Sequence, residues 1–379
     1  MNPERKKVKI ILTGGGSGGH IFPLIAVCRE LRKKLPKEKA TIYYLGPVEG
    51  HGLKTLASEG VKIKKITTGK FRRYFSLKNI LDLFKIPLGL LQSFFWLFFL
   101  APDIIFSKSG YGSFPVALAG KILGIPLFIH ESDAVPGAVS EITGKWATEI
   151  FVSFLTKKSF PSKKLICVGN PVREELFGAA KEPALSFFSF KTKKPVITVL
   201  GGSQGSQKIN EIIMDILPEM AANFNIIHQC GDKNYGRLKI ESEFILKNLA
   251  CKDNYRLFPF LNQETYKNAL AAADLIISRA GAGAIFEIAA AGKPAILIPF
   301  SFAAQNHQLK NAYIFASTGA AEVLEEENLK PHLLLEKLKH FCSRPDILEK
   351  MSAAAKSFAK PRAAEIIASY LTAYLQAME

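Results

Sequence analysis

The sequence has few of the features that mark secreted, metal-binding or membrane-spanning proteins. Only five of its 379 residues are cysteine, and no two of them form a Cys-x-x-Cys pair. Cysteines this sparse argue against a disulfide framework and a zinc site, and they suit a reduced, cytosolic protein. The apolar run after the basic N-terminus covers only residues 8–12 before it ends in glycines, so we expect no signal peptide.

Acidic residues are scarce in the first half of the chain. The net charge is +17, and residues 1–170 contain 26 of the 50 lysines and arginines but only 11 of the 33 acidic residues. A strongly basic half implies an anionic partner, which can be a nucleic acid, an anionic membrane or an acidic substrate. Because this half carries no nucleic-acid-binding motif, we do not expect a nucleic acid.

The residues beside this charge favour a membrane surface. Residues 86–102 are very apolar and aromatic, and they follow a set of basic residues: Lys70, Arg72, Arg73, Lys78 and Lys85. This combination is typical of proteins that bind an anionic membrane. The run is shorter than the roughly 20 apolar residues of a spanning helix, so a transmembrane helix is the least favoured interpretation. A fully buried helix remains possible, and we favour a partly buried helix with one face against lipid.

Short β-branched runs alternate with helical stretches along the chain, which predicts βαβ units and parallel sheets. The sequence of strand, glycine turn and helix that begins at residue 8 begins again at residue 196. This repeat predicts an α/β protein of two doubly wound, Rossmann-like domains, residues 1–170 and 196–350, joined by a linker at 171–195. The predicted strands are residues 9–12, 41–45, 103–107, 126–130, 150–152, 165–168, 196–200, 226–229, 275–278 and 295–299.

The first glycine turn, residues 14–19, directly follows the first predicted strand. Its Gly-x-Gly-x-x-Gly spacing fits a dinucleotide fingerprint, but no acidic residue ends the second strand at 41–45. Glu49, the nearest acid, lies beyond a proline, so we do not expect a nicotinamide-dependent enzyme. Neither glycine turn contains Gly-Lys-Ser/Thr, and a P-loop is therefore absent. The first turn is unusual because it ends in a titratable group, His20.

Residues 278–311 hold a second set of candidate binding groups. A predicted helix at 284–291 carries Glu287 in its first turn, and this carboxylate has two interpretations. It can be a favourable partner of the helix dipole, or it can accept both hydroxyl groups of a ribose. Polar residues that suit sugar hydroxyls follow the next strand: Asn306, His307, Gln308 and Asn311.

Six motifs occur in the order in which one known family has them. They are Gly-Gly-Ser-Gly-Gly-His at 15–20, Ser-Gly-Tyr at 109–111, Gly-Asn-Pro-Val-Arg at 169–173, Gly-Gly-Ser-Gln-Gly at 201–205, Glu-Ile-Ala-Ala-Ala-Gly at 287–292, and His-Gln followed by Asn-Ala within 307–312. Through them, residues 8–325 resemble the MurG family of glycosyltransferases, which add N-acetylglucosamine to lipid I in peptidoglycan synthesis. The resemblance implies a GT-B fold, in which two Rossmann-like domains face a cleft and a last helix, here 351–379, crosses back to the first domain.

The resemblance also implies the substrates. The second half would bind UDP-N-acetylglucosamine, with Glu287 at the ribose, the Leu261 backbone at the uracil, Ser203 at the diphosphate and Gln308 at the sugar. The basic first half would bind an anionic membrane and lipid I, an undecaprenyl-pyrophosphate-linked muramyl peptide. The implied substrate-binding residues are Ser17, Gly18, Gly19, Asp133, Arg173, Ser203, Leu261, Ala282, Gly283, Ala284, Ile285, Phe286, Glu287 and Gln308.

Two positions depart from the family pattern. Asp133 stands where an asparagine is common. A carboxylate there can act as a second base or orient the acceptor hydroxyl, but it would repel the pyrophosphate at close range. Gln305 stands where an aspartate is common before the His-Gln pair.

The implied reaction is a direct displacement with inversion, in which the acceptor's 4-hydroxyl attacks the anomeric carbon and UDP leaves. His20 is the candidate catalytic base, because an imidazole near a helix N-terminus is pushed toward its neutral form. The other interpretation is that His20 only positions the turn. Arg173 and the helix after the second glycine turn would meet the charge of the leaving group. No cluster of metal-ligand type occurs, so we expect neither a metal nor a cofactor.

Two other functions remain open at this point. A related UDP-sugar:diacylglycerol glycosyltransferase would share the fold and chemistry and differ in its acceptor. A non-catalytic UDP-sugar-binding membrane subunit is less favoured, because the chain holds both halves of the cleft and the turn with His20. The expected location is the cytoplasmic face of the bacterial plasma membrane, as a peripheral protein.

Overall fold

The computed structural model describes residues 7–16, 18–48, 52–69, 77–155, 160, 164–202 and 204–378. The chain divides into two compact units, one of Met1–Val172 with Lys360–Glu379 and one of Arg173–Ala359. Each unit is built on a parallel sheet whose strands alternate with helices along the chain. The α/β class and the two Rossmann-like folds predicted from the sequence are therefore confirmed.

The sheet of the first unit contains seven described strands, all parallel, in the order β3-β2-β1-β4-β5-β6-β7. They are β1 (Val8–Thr13), β2 (Ala40–Gly46), β3 (Lys62–Lys65), β4 (Ile104–Ser107), β5 (Leu127–Glu131), β6 (Glu149–Val152) and β7 (Leu165–Cys167). The order of the strands reverses between β1 and β4. Open parallel sheets bind ligands at the carboxyl ends of the strands beside such a switch point.

The helices of the first unit include one formed by residues far away in the sequence. The described helices are α1 (Gly18–Lys34), α2 (Gly52–Ser58), α3 (Leu77–Leu100), α4 (Phe114–Ile122), α5 (Ala138–Gly144) and α15 (Ala363–Ala377). α1 and α15 pack against each other. Their apolar residues recur at helical spacing and share one buried cluster with β1 and β2, so α15 completes the core of this unit.

The second unit repeats the plan of the first. Its described strands are parallel in the order β10-β9-β8-β11-β12-β13, and the switch point lies between β8 and β11. The strands are β8 (Val196–Leu200), β9 (Asn225–Gln229), β10 (Tyr255–Phe258), β11 (Leu275–Ser278), β12 (Ala295–Leu297) and β13 (Ala321–Val323). The helices are α6 (Lys181–Phe187), α7 (Gln207–Asp215), α8 (Leu217–Asn223), α9 (Asp232–Leu246), α10 (Gln263–Ala272), α11 (Ala282–Ala290), α12 (His307–Ala316), α13 (Pro331–Cys342) and α14 (Pro345–Phe358).

Three strands were missed by the sequence prediction, and all three lie at sheet edges. β3, β10 and β13 each pair with a single neighbour. An edge strand buries less of its surface than a central one, so its sequence is free to carry charged residues. The Lys-Ile-Lys-Lys sequence of β3 shows this directly.

Two predicted segments differ from the structure. The predicted linker at 171–195 contains α6, and Ala184 and Phe188 are buried in the core of the second unit. The predicted single helix at 351–379 is interrupted, so that α14 ends in the second unit and α15 begins in the first. The interruption contains Pro361, which has no backbone N–H and disfavours a helical residue before it.

α3 has one packed face and one exposed apolar face. Ser93 and Leu97 are buried on the side that packs against α4, and Gln92 accepts a hydrogen bond from the Thr67 N–H at 2.7 Å. The α3 apolar stripe, on the other side, consists of the exposed residues Leu88, Leu91, Phe94, Phe95, Phe98 and Phe99. α3 is thus the partly buried helix that we favoured. Of the helices in the described ranges, none is both long enough and apolar enough to cross a membrane.

Candidate active site

His20 lies at the switch point of the first sheet, just beyond the turn that follows β1. Its half-buried imidazole fits between two glycines. A Cβ atom on Gly15 would stand 2.8 Å from Nδ1, and one on Gly110 would stand 2.6 Å from Nε2. Gly110 also has a φ of +88°, which side chains with a Cβ rarely adopt. The two glycines therefore leave the space that the ring occupies.

Two charges of opposite sign act on His20. Burial, followed by the charge of Lys108, lowers the pKa of His20 to about 4, while the Asp133 carboxylate acts to raise it. The ring is therefore neutral near pH 7, the form that accepts a proton. The sequence predicted a neutral ring because of the helix N-terminus, whereas the main cause in the structure is burial. A nearby carboxylate favours the imidazolium that proton transfer creates.

Lys108 is a buried cation that follows β4. The residue is 1% exposed, and its Nζ donates a hydrogen bond to Ser132 Oγ. Burial lowers the pKa of Lys108 to about 8, and the charges of Glu131 and Asp133 act against this shift. A lysine that is mostly protonated at pH 7 offsets the carboxylate of Asp133, which alone would repel an anionic acceptor.

Glu131 ends β5 and organises the loop that carries Asp133. Its Oε1 accepts the Asp133 N–H at 3.0 Å, and its Oε2 accepts the Gly137 N–H at 3.1 Å and the Ser140 hydroxyl. Burial raises the pKa of Glu131. Both oxygens of Glu131 are held by the loop, so its role is to shape the loop. Throughout the described part of the chain, no three His, Cys, Asp or Glu side chains could hold a metal ion together.

Gly18 and Gly19, for which the resemblance implies a substrate-binding role, are the first two residues of α1. Gly19 is exposed and Gly18 is half-buried. Their N–H groups belong to the first turn, which has no acceptors within the helix and can bind an anion. Ser17, the third residue predicted here, lies outside the described residues.

The second glycine turn joins β8 to α7. Gln229, at the end of β9, donates its side-chain Nε2 to the Gly202 carbonyl at 2.7 Å and holds the turn. Ser206 caps α7, because its hydroxyl accepts the Ile209 N–H at 3.4 Å. Ser203, which we predicted at the diphosphate, lies outside the described residues.

Glu287, Arg173 and Tyr266 form one hydrogen-bonded group in the second unit. Arg173 Nη2 lies 3.2 Å from Glu287 Oε1, and the Tyr266 hydroxyl donates to Oε2 at 2.9 Å. The Arg173 guanidinium also stands over the Tyr266 ring, 5.7 Å from its centroid. The structure thus brings together two residues that were predicted separately and adds Tyr266.

The position of Glu287 in its helix differs from the prediction. α11 begins at Ala282 and has no acidic residue in its first turn, so Glu287 lies in the second turn. The helix starts two residues early because Gly281, with an extended backbone, serves as its N-cap. The interpretation of Glu287 as a first-turn partner of the helix dipole is therefore wrong.

The first turn of α11 is open. Among the residues that the structure describes, and apart from adjoining backbone, no heavy atom lies within 4 Å of the place where Gly281 or Gly283 would carry a Cβ. The predicted residues Ala282, Gly283 and Ala284 form this turn, and their N–H groups have no acceptor within the helix. This turn is therefore able to bind a negatively charged group.

Three other predicted residues contribute buried side chains. Ile285 is 0% exposed, Phe286 is 1% exposed and Leu261 is 5% exposed. The Phe286 ring packs against Phe358, with 5.2 Å between the ring centroids. A ligand can therefore meet these residues only through their backbone, which is the role implied for Leu261.

Gln308, near the start of α12, is tied to the loop that precedes this helix. Its Oε1 accepts the Phe300 N–H at 3.0 Å, so the amide NH₂ is the group it can donate to a ligand. A nearly buried ion pair supports the same loop: Arg279 Nη2 lies 2.5 Å from Glu326 Oε1, and Glu326 Oε2 accepts the Ser301 N–H at 3.0 Å.

Two consecutive residues before α12 have a left-handed backbone. The φ of Gln305 is +55° and that of Asn306 is +53°. Such residues cost about 1–3 kcal/mol each and are concentrated at ligand sites. These two residues lie in the loop directly before Gln308.

Lys108, Tyr266 and the Arg279–Glu326 pair were missed by the sequence analysis. Lys108 had a signal, because a charged residue directly after an apolar strand often belongs to a site. Tyr266 had none, because an aromatic residue on an amphipathic helix usually packs in the core.

Comparison with known families matches both halves of the chain. Residues 10–152 match the glycosyltransferase family 28 N-terminal domain, and residues 196–367 match the glycosyltransferase family 28 C-terminal domain.

Curated relatives cover most of the chain. They are UDP-N-acetylglucosamine--N-acetylmuramyl-(pentapeptide) pyrophosphoryl-undecaprenol N-acetylglucosamine transferases. The enzyme of Treponema denticola is 35% identical and covers 96% of this chain and 97% of its own length. The Clostridium kluyveri enzyme is 37% identical and covers 96% of this chain and 99% of its own length. The Bacillus cereus enzyme numbered 2 is 39% identical and covers 86% of this chain and 90% of its own length.

Solved structures share the fold. Acinetobacter baumannii MurG is 25% identical, with a TM-score of 0.72 over 96% of this chain and 99% of that chain. The UDP-GlcNAc 2-epimerase of Neisseria meningitidis, bound to UDP-GlcNAc, has a TM-score of 0.67 at 15% identity and supports the fold alone. It covers 96% of this chain and 100% of its own. The GT-B fold that the resemblance implied is confirmed.

Proposed function

Because the chain belongs to glycosyltransferase family 28, in its MurG branch, we propose a division of labour between its two units. The chain is an N-acetylglucosaminyltransferase that converts lipid I to lipid II for peptidoglycan. The first unit binds the acceptor and the second binds UDP-N-acetylglucosamine. The observation that carries the chemistry is the neutral, half-buried His20 at the switch point of the first sheet.

The second unit binds the donor through Glu287 and the elements around it. The Glu287 carboxylate accepts the two ribose hydroxyls, and the Leu261 backbone meets the uracil. The amide NH₂ of Gln308 donates to hydroxyls of the sugar. These roles are supported by the open first turn of α11 and by the ion pair that supports the Gln308 loop.

His20 takes the proton of the acceptor's 4-hydroxyl as that oxygen attacks the anomeric carbon. The new bond forms opposite the bond that breaks to UDP, so the configuration at that carbon inverts. A positioned base contributes about 10²–10⁴-fold to the rate. Asp133 stabilises the imidazolium, and Lys108 offsets the carboxylate so that an acceptor with a pyrophosphate can approach.

The departing UDP carries a developing negative charge. Arg173 meets this charge as a fixed cation, since its guanidinium is already oriented by Glu287 and Tyr266. The N–H groups in the first turns of α11 and α7 add oriented dipoles. No metal ion or cofactor enters this proposal.

An assay with two acceptors tests the proposal. Purified protein is incubated with radiolabelled UDP-N-acetylglucosamine and either a lipid I analogue or diacylglycerol, and we expect product only with lipid I. His20→Ala should lower kcat by about 10²–10⁴-fold and leave the KM of the donor unchanged. Transfer only to diacylglycerol would overturn the acceptor assignment. An unchanged kcat would overturn the base assignment and make Asp133→Asn the next variant.

The α3 apolar stripe provides the contact of the first unit with the membrane. Six large apolar side chains on one helix face are exposed, among them Leu91 at 69% and Phe99 at 66%. Contiguous apolar surface of this kind marks an interaction site. Lys85, near the start of the stripe, is exposed and can meet anionic headgroups. We therefore place the enzyme on the cytoplasmic face of the plasma membrane as a peripheral protein.

Vesicle flotation tests the membrane contact. Phe95→Ser combined with Phe99→Ser should abolish binding to vesicles that contain about one third phosphatidylglycerol. Phe244→Ser is the matched control, because Phe244 is an 81% exposed phenylalanine on α9 of the second unit. Equal binding of the double variant and the control would overturn the assignment of the stripe.

A further inference from the structure

Tyr266, on α10, places its hydroxyl against the carboxylate that the proposed function assigns to the ribose. The hydroxyl donates to Glu287 Oε2 at 2.9 Å, and Arg173 Nη2 lies 3.2 Å from Oε1. The two oxygens of the carboxylate are thus held by two different side chains. An ionised carboxylate has about four acceptor positions, so each oxygen can accept a further hydrogen bond.

The surroundings keep this arrangement fixed. The Arg173 and Glu287 side chains are 10% and 14% exposed. The Tyr266 phenol stays protonated and acts as a donor, because burial and the neighbouring carboxylate raise the pKa of Tyr266 well above its ordinary value. The terminal torsion of a glutamate is broad and easily rotated. Donors on two separate segments of the chain therefore decide the plane in which the Glu287 carboxylate lies.

We propose that Tyr266 is a positioning residue that gives the donor site its preference for ribose over 2′-deoxyribose. By holding Oε2, its hydroxyl turns the Glu287 carboxylate so that the remaining acceptor positions meet the two adjacent ribose hydroxyls. The inference rests on the proposed donor role of Glu287 and adds the residue that makes this carboxylate selective. The same hydroxyl leaves the reacting atoms untouched, so its effect is on binding.

Calorimetric binding of UDP and 2′-deoxy-UDP to the full chain tests this role. Tyr266→Phe removes only the hydroxyl and keeps the ring under Arg173. Tyr255→Phe is the matched control, because the Tyr255 hydroxyl also forms a hydrogen bond, of 2.9 Å to His228 Nδ1, within the second unit. Tyr255 belongs to a different buried cluster from the one that Tyr266 packs against.

We expect the wild-type chain to bind UDP about tenfold more tightly than 2′-deoxy-UDP, the effect of one hydrogen bond to a charged group. Tyr266→Phe should weaken UDP about tenfold and reduce the discrimination to about twofold. Tyr255→Phe should keep the wild-type affinities. Equal weakening of both nucleotides, or undiminished discrimination in Tyr266→Phe, would overturn the inference. A wild-type chain that binds neither nucleotide would instead refute the proposed donor site, and the inference with it.

The transfer assay gives an independent readout. Glu287 binds the ribose equally in the ground state and the transition state. Tyr266→Phe should therefore raise the KM of UDP-N-acetylglucosamine about tenfold and change kcat by less than about twofold. A fall in kcat at unchanged KM would place Tyr266 in the chemical step and contradict a positioning role.

Discussion

Gly15→Ala is directed at His20, whose ring supplies the three nearest atoms to the new methyl group. The new methyl group would stand 2.8 Å from Nδ1 of His20 and 3.0 Å from Cε1, whereas ordinary contacts begin at 3.4 Å. Gly15 is not among the residues with a positive φ, so the backbone accepts an alanine without strain. The ring must therefore move by about 0.6 Å to restore ordinary contact.

This displacement should have a small effect on the free energy of unfolding and a large effect on kcat. Rotating a side chain about 30° from its preferred torsion costs about 0.5–1.5 kcal/mol, which is the expected loss in the free energy of unfolding. Catalytic groups must be held within about 0.5 Å of their productive geometry. A misplacement of about 1 Å can cost about 100-fold in rate. We therefore expect kcat to fall about 10- to 100-fold.

The measurement is kcat at saturating donor and lipid I analogue, with thermal unfolding to show that the variant is folded. Gly236→Ala is the matched control, because the new methyl group on α9 meets no heavy atom of the described residues within 4 Å beyond its own helix backbone. This control should keep kcat and gain about 1 kcal/mol of stability, as expected for alanine inside a helix. A folded Gly15→Ala enzyme with unchanged kcat would refute the placement of His20 at the reacting hydroxyl.

Three further outcomes are expected. Lys108→Met should move the acid limb of the kcat/KM profile to higher pH, because the Lys108 charge lowers the pKa of His20 and its removal raises it; an unmoved limb would contradict this. Glu326→Gln breaks the nearly buried ion pair with Arg279 and should lower the free energy of unfolding at pH 7 by about 3 kcal/mol. Glu322→Gln, in the more exposed ion pair with Lys337, should lower it by only about 0–1 kcal/mol. Burial alone would raise the pKa of Glu326, but its hydrogen bonds and its ion pair hold the pKa below its ordinary value. The stability difference should therefore persist at neutral pH and be lost as the pH falls through this lowered pKa. Gly89→Ala should lower the melting temperature, because its Cβ would stand 2.1 Å from a backbone oxygen; an unchanged value would show that α3 shifts freely.

Much of the fold could be predicted because the central strands are short apolar runs bounded by glycine and proline. β8 and β11 are fully buried, and their sequences carry no polar residue except Thr198 and the last residue, Ser278. Edge strands such as β3 lack this pattern. The assignment of α6 to the second unit depends on core contacts with residues far along the chain. The sequence pattern alone therefore predicts the central strands of the two sheets better than the residues at which each unit begins and ends.

The site was predictable only where a motif carries its chemistry. His20 and Glu287 stand in sequence patterns that point to a site. Their partners Lys108 and Tyr266 come from other elements, 88 residues after His20 and 21 before Glu287. Residues that become neighbours through the order of the strands are not marked by any pattern in a single sequence. Lys108 and Tyr266, which act on His20 and Glu287, could therefore be identified only from the structure.

The contribution of α15 to the first unit has a consequence for synthesis on the ribosome. The core face of α1, including Leu24 and Leu31, is buried with residues of α15. About 190 residues of the second unit are translated between them, which takes about 10–40 s at the usual elongation rates. By the end of that interval the second unit has its whole sequence available, whereas the apolar face of α1 in the first unit is still without α15. The nascent first unit is therefore the part of the chain that we expect chaperones to engage.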